Sequence, residues 1–193
     1  MTEQLVDFVI FETERLYIRE FNIDDVECVY AYAGDAENTF FMPWGPESYD
    51  GAKNFVCAKL KSQLSEPRVD FDFAVCLKST GELIGSMGLT LDEKRTQGEL
   101  GYILKKTHWR KGYASEAARA FLKFGFMSLD LHRISARCDG ENLASESVMK
   151  KIGMRKEAEF RSSCFTIVNS VEQWRDEKVY AMLQTEFLKS LFK

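Results

Sequence analysis

Apolar and polar positions alternate through ERLYIREF, Glu14 to Phe21, with the period of two that predicts a first strand. Asn22 or Asp24 then stands where a capping residue belongs, and VECVYAYA follows as a helix. The aromatic, turn-rich stretch FFMPWGPESY separates it from a second predicted helix, Glu47 to Lys61. VDFDFAVCL and GELIGSMGLTL read as two strands joined by a Ser-Thr-Gly turn between Lys78 and Glu82, hence a hairpin. GELGYIL, Gly98 to Leu104, predicts another strand. From Ala114 to Met127 the spacing of Ala117, Ala118, Phe121, Leu122, Phe124 and Phe126 is helical. HRISARCD is a strand, and ENLASESVMKKIG is a helix capped near Asn142 and ended by Gly153, a residue suited to a left-handed C-terminal position. MRKEAEFR and a stretch near Lys178–Leu183 are the last strands. This order predicts a mixed α/β sheet, antiparallel in its first half and with crossover helices later.

The 193 residues hold no internal repeat, low-complexity tract or linker, so a single domain over 1–193 is expected. The composition, 45% hydrophobic and 29% charged with 3 Pro, is globular. A formal charge of -4 argues against a phosphate-backbone-binding face, and so against a nucleic-acid partner. No apolar run is long enough to span a bilayer, and the N-terminal MTEQLVDFVIFETERL carries acids where a secretory signal carries cations. Five scattered cysteines without C-x-x-C, and only two histidines, give neither a disulfide framework nor a metal site, so free thiols in a reducing cytoplasm are expected.

HWRKGYASEA, His108 to Ala117, lies between the strand GELGYIL and a helix. A first helical turn has unpaired N–H groups and the positive end of the helix dipole, which together suit an anion. Neither a Walker sequence nor G-x-G-x-x-G follows a strand here. By spacing alone, a basic surface turn is the better reading.

The wider pattern alters that balance. TERLYIREF, ELGYIL followed by HWRKGYASEA, LHRISARCDGENLASESVMKKIGM and DEKVYAML come in the order found in the GCN5-related N-acetyltransferase (GNAT) superfamily. The chain resembles in particular the branch of ribosomal-protein N-terminal acetyltransferases. The resemblance implies a GNAT-type mixed, mostly antiparallel twisted sheet with a splayed central strand pair and flanking helices. It also implies acetyl-CoA as acyl donor, with no metal. The superfamily motif usually begins with Gln or Arg; Trp109 stands there, as is usual in this branch, and Arg110 does not take the motif arginine's role.

The same resemblance assigns the CoA pyrophosphate to backbone N–H groups of Arg110, Lys111, Gly112, Tyr113, Ala114 and Ser115. It places pantetheine along Tyr102, Ile103 and Leu104, pairing as an added strand, with a backbone N–H polarising the thioester carbonyl. Asn142 would contact pantetheine and Ser145 would lie near the leaving sulfur. Glu99 is the candidate base for the amine's proton; the alternative is a solvated edge-strand glutamate. Asn142 is equally an N-cap, and Tyr113 a packing residue. Phe41, Trp44 and Tyr49 are candidate walls of the acceptor pocket, with Arg161 and Trp174 as lesser ones, and His132 reads as structural. The expected activity is acetyl transfer to a primary amine by direct attack in a ternary complex. The acceptor would be a peptide or protein N-terminus, or a small molecule such as a polyamine or aminoglycoside. A non-catalytic acyl-CoA-binding or sensing module is the alternative, and a homodimer is left open.

Overall fold

The computed structural model describes residues 9–168 and 171–192. Eight strands form one sheet in the order β1-β2-β3-β4-β5-β6-β8-β7. They are β1 Val9–Glu12, β2 Leu16–Arg19, β3 Asp70–Leu77, β4 Leu83–Leu91, β5 Gln97–Leu104, β6 Arg133–Asp139, β7 Arg155–Val168 and β8 Val171–Leu183. Five α-helices accompany them: α1 Val26–Ala33, α2 Tyr49–Gln63, α3 Tyr113–Lys123, α4 Leu143–Lys151 and α5 Gln184–Ser190.

β1 to β5 pair antiparallel in sequence order, β5 and β6 pair in parallel across α3, and β6, β8 and β7 continue antiparallel. The mixed, mostly antiparallel sheet with flanking helices is therefore present. Two elements were not predicted: the four-residue edge strand β1 and the C-terminal helix α5. β7 and β8 also extend well past their predicted stretches. The first eight residues of the segment read as lacking a secretory signal lie outside the described residues.

The local chemistry explains the helix ends. Asn22 and Asp25 form a capping box over a short 3-10 turn that leads into α1. Ser48 caps α2 by accepting from the Gly51 N–H at 3.0 Å. At the end of α4, Gly153 has φ 88. Its N–H reaches the Lys150 carbonyl at 3.1 Å and the Met154 N–H reaches Met149 at 3.1 Å, a Schellman termination that needs the left-handed residue expected there. α3 runs on into a π-helical turn, Phe124–Ser128, so the apolar stripe predicted to Met127 is one continuous helical segment.

Alternation on the strands gives the sheet two apolar faces. Phe71, Phe73, Val75, Met87 and Leu89 pack under α3 and α4, with Ala117, Phe121 and Met149. Ala74, Cys76 and Ile103 face α1 and α2, with Val29, Tyr32, Ala52 and Val56. The functional region lies where the sheet comes apart. β5 stays paired to β4 as far as Leu104, whereas its pairing with β6 is confined to Gln97–Glu99 against Arg133–Ser135. Beyond Glu99 the two parallel strands part, which is the splayed central pair expected from the sequence.

Candidate active site

The loop between β5 and α3 is built to leave donors free. Gly112, with φ 85, precedes the first residue of α3, and Arg110 also has positive φ, at 60. Left-handed residues within a loop turn successive N–H groups toward one side, a concave arrangement that suits anions. Among the described residues, the N–H groups of Arg110 to Ser115 meet no backbone acceptor, and the series resumes with the Glu116 N–H on the Gly112 carbonyl at 3.0 Å. Arg110, Lys111 and Gly112 are exposed, Tyr113 and Ala114 half-buried and Ser115 buried. Six free donors at the positive end of an eleven-residue helix fit a pyrophosphate.

The turn between β1 and β2 braces this loop, a role that sequence reading did not find. Glu116 accepts from Thr13 Oγ1 at 2.6 Å, the Arg15 N–H at 2.8 Å and Arg15 Nε at 2.7 Å. Arg15 also donates to the Lys111 carbonyl at 3.1 Å, and its guanidinium lies 4.5 Å from the centre of the Tyr113 ring. Burial works to raise the Glu116 carboxyl, but the donors outweigh it and hold it below its ordinary range. Trp109 has a defined part as well. Its indole Nε1 donates at 2.7 Å to the Leu104 carbonyl, at the end of the strand that lines the gap.

Across the gap, Tyr102 on β5 reaches Ser145 at the start of α4. The two hydroxyl oxygens are 2.8 Å apart, and burial pushes the phenol's pKa up while the Ser145 hydrogen bond opposes it. Asn142 caps α4 by accepting from the Ser145 N–H at 3.0 Å, as its position in the sequence suggested. A cavity of about 380 Å³ opens here, and Asn142, Ser145, Tyr102 and Glu99 are among its walls. Cys138 is another. Burial pushes its thiol up to about 11, with Lys178 opposing, so it stays protonated near neutral pH.

Glu99 sits on the wall of this cavity beside Gly101, where nothing lies within 4 Å of the position a Cβ would take. Its carboxylate accepts from Arg137 Nε at 2.9 Å, and both side chains are about half exposed. Phe41 and Trp44 line the same cavity. Arg175, unmarked in the sequence reading, fixes their loop. It pairs with Asp139 at 2.9 Å, donates to the Phe40 carbonyl at 3.4 Å and lies 4.6 Å from the Phe40 ring. Tyr49 is placed elsewhere, with its hydroxyl on Glu27 at 3.0 Å and its ring against Tyr30, because it occupies the first turn of α2 facing α1. Arg161 and Trp174 line neither of the two main cavities; Trp174 packs against Phe165 on the outer hairpin.

A second cavity, of about 360 Å³, lies under α1 and α2 and meets the first at Met42, Trp44, Gly101 and Tyr102. Its floor holds Asp72, a residue of the predicted strand VDFDFAVCL to which the sequence reading gave no role. Lys59 of α2 bridges Asp70 at 2.7 Å and Asp72 at 3.1 Å. Burial pushes the Asp72 carboxyl up to about 6, with Lys59 opposing.

A splayed parallel pair beside a run of free N–H groups at a helix N-terminus leaves a gap that could seat an extended, phosphate-bearing molecule. Residues 15–155 match the acetyltransferase (GNAT) domain family, and the chain belongs to it. It is 39% identical over 175 residues to the uncharacterized N-acetyltransferase YnaD of Bacillus subtilis, covering 91% of this chain and 97% of that one. A GNAT-family acetyltransferase of Bacillus anthracis aligns at TM-score 0.78 and 35% identity over 91% of this chain and 98% of its own. A spermidine N-acetyltransferase of Vibrio cholerae, solved with CoA and spermine, aligns at TM-score 0.76 and 20% identity, over 90% and 98%, and shows the fold alone. The chain is an N-acetyltransferase that uses acetyl-CoA as donor and an amine as acceptor. Among the described residues, no helix is long and apolar enough to cross a membrane.

Proposed function

We propose that the chain is one N-acetyltransferase domain throughout, acting in the cytoplasm on a primary amine, and that the amine attacks acetyl-CoA directly within a ternary complex. The observation that carries this reading is the run of free N–H groups from Arg110 to Ser115 beside the splay between β5 and β6. The pyrophosphate takes those donors, and pantetheine runs along Tyr102, Ile103 and Leu104. The thioester then lies beside Gly101, where the two cavities meet. Trp109 supports this strand through the Leu104 carbonyl.

The amine nitrogen attacks the thioester carbon, the C–S bond breaks, and the amine's proton passes to Glu99, directly or through a water. Arg137 orients that carboxylate. The leaving CoA thiolate takes a proton from solvent, relayed through the Ser145 and Tyr102 hydroxyl pair that faces the same cavity, so neither hydroxyl is left ionised. Cys138, held as a thiol by burial, takes no part in this scheme. Phe41 and Trp44 form the acceptor wall, and the acceptor is a peptide N-terminus or a small-molecule amine.

Initial rates measured over a grid of acetyl-CoA and amine concentrations test this scheme, with CoA release followed by a thiol reagent. Intersecting reciprocal plots are expected. Parallel plots together with an acetylated enzyme in the mass spectrum would show a covalent intermediate and overturn it. Glu99→Gln is expected to lower kcat by roughly 10²-fold, the usual share of a positioned proton acceptor.

A further inference from the structure

The cavity under α1 and α2 has a charge and a shape that the transfer step does not use. Three carboxylates, Glu47, Asp70 and Asp72, face one ammonium, Lys59, on its walls. Tyr32 of α1 lines it too; the residue is 2% exposed, and its hydroxyl stands beside Ser86 with no hydrogen bond of ordinary length among the described residues. A buried hydroxyl is normally paired, so one facing an acidic cavity is suited to a bound polar group.

Strand register then connects this recess to the place of acetyl transfer. Asp72 lies opposite Gly88, and Gly88 opposite Gly101, so the three occupy one row on the same face of β3, β4 and β5. A Cβ on Gly88 would sit 2.8 Å from Asp72 Cα and 3.0 Å from its Cγ, so the carboxyl leans over the glycine toward β5. No atom lies within 4 Å of the Cβ position at Gly101. Two glycines therefore clear a trough from the Asp72 carboxyl to the splay. Two strand spacings, less the reach of the leaning side chain, put its length at roughly 6–9 Å.

We propose that this trough is a second subsite for the acceptor, in which Asp72 and the Tyr32 hydroxyl hold a cationic nitrogen while a primary amine at the other end is acetylated over Gly101. The substrate class is thereby narrowed to amines with a second positive nitrogen about four to six carbons away, as the trough's length requires. This rests on reading the splay at Gly101 as the place of transfer. A free diamine and the N-terminal amine of a peptide that begins with lysine share that chemistry.

The test compares kcat/KM for 1,6-diaminohexane and hexylamine at saturating acetyl-CoA, using the full chain. An advantage of about tenfold or more for the diamine is expected, the size of one hydrogen bond to a charged group and well above the twofold from having two amines. Asp72→Asn should collapse that ratio to about threefold or less, and Tyr32→Phe should lower it several-fold, on the same scale of hydrogen-bond loss. Melting curves confirm that each variant is folded. A wild-type ratio near two, or a ratio that survives Asp72→Asn, overturns the subsite. The same comparison between peptides beginning Lys-Ser and Gln-Ser separates the two sources of the cation. If neither amine is acetylated, the transfer reading fails on its own. The subsite is then judged by calorimetric titration of 1,6-diaminohexane into the CoA-saturated protein: binding lost in Asp72→Asn sustains it, and no binding overturns it.

Discussion

Arg110 and Gly112 both carry positive φ, yet they bear differently on anion binding. The proposed donors are backbone groups, so what matters at position 112 is that the chain can take this shape. A side chain at Gly112 is strained at φ 85, and its Cβ would stand 3.3 Å from Arg15 NH2. The exposed Arg110 side chain contributes screened charge only, worth about 1 kcal/mol at most. Gly112→Val should therefore weaken CoA binding by about tenfold or more, and Arg110→Ala by about fivefold or less, as equilibrium titration would measure. The reverse ranking would give the binding to side chains. Asp72 supplies a pH dependence whose sign follows from its own shift. Its carboxyl is raised from 3.8 to about 6, so below that pH the recess loses a negative charge. Lys59 stays protonated across this range, and Asp70 and Glu47 complete the facing charges. The preference for 1,6-diaminohexane over hexylamine should accordingly be smaller at pH 5 than at pH 8, with its midpoint near pH 6. A preference that is flat over this range would show that Asp72 is not the group holding the second nitrogen.

Among the elements, α4 has the most demanding seat, because its first turn carries both Asn142 and Ser145. Glu146 holds it down. The residue is 8% exposed and accepts from Tyr180 at 2.6 Å, Lys150 at 2.8 Å and Lys178 at 3.0 Å. These donors, Lys150 first and then Tyr180 and Lys178, lower its carboxyl from 4.5 to about 2. A depressed carboxyl contributes stability above its unfolded value, and that contribution is lost as the pH falls toward 2. Glu146→Gln should cost about 1–3 kcal/mol in urea unfolding at pH 7, with the difference from the parent shrinking below pH 4. A variant as stable as the parent at pH 7 would remove Glu146 from the account. Elements of this kind were legible where local chemistry announced them: the caps at Asn22 and Asn142, the Gly153 stop, the alternating strands and the helix-spaced phenylalanines. β1 was not legible, because four residues of edge strand carry too short a pattern. The ends of β7 and β8 were not either, because their hairpin is stabilised by pairing rather than by alternation. The site divides along the same line. The loop from Arg110 to Ser115 became a candidate only through the resemblance carried by contiguous residues, since its spacing alone favoured a basic surface turn, whereas Asp72 gains its meaning from Lys59 on another element and from glycines on two other strands.

For the whole molecule, the proposed acetyl-CoA site is assembled from segments far apart in the chain. Glu116 on α3 is bound by Thr13 and Arg15 more than a hundred residues earlier, while α4 closes the opposite side through Ser145 and Tyr102. A ligand spanning these parts binds the folded chain and not the unfolded one, so it stabilises the whole by mass action. CoA at a hundred times its Kd adds about 2.7 kcal/mol, which for a chain of this size is a rise of about 5–10 °C in Tm. Glu116→Ala frees four donors at once and is expected to lower the Tm of the free protein through about 1–3 kcal/mol of lost stability. Its more telling effect is on the increment. If the turn between β1 and β2 does set the shape of the loop from Arg110 to Ser115, the rise produced by the same CoA concentration must shrink as well, because the Kd has increased. A variant whose Tm falls while the CoA increment stays that of the parent would reduce the Glu116 cluster to a stabilising contact, with the anion loop holding its shape alone.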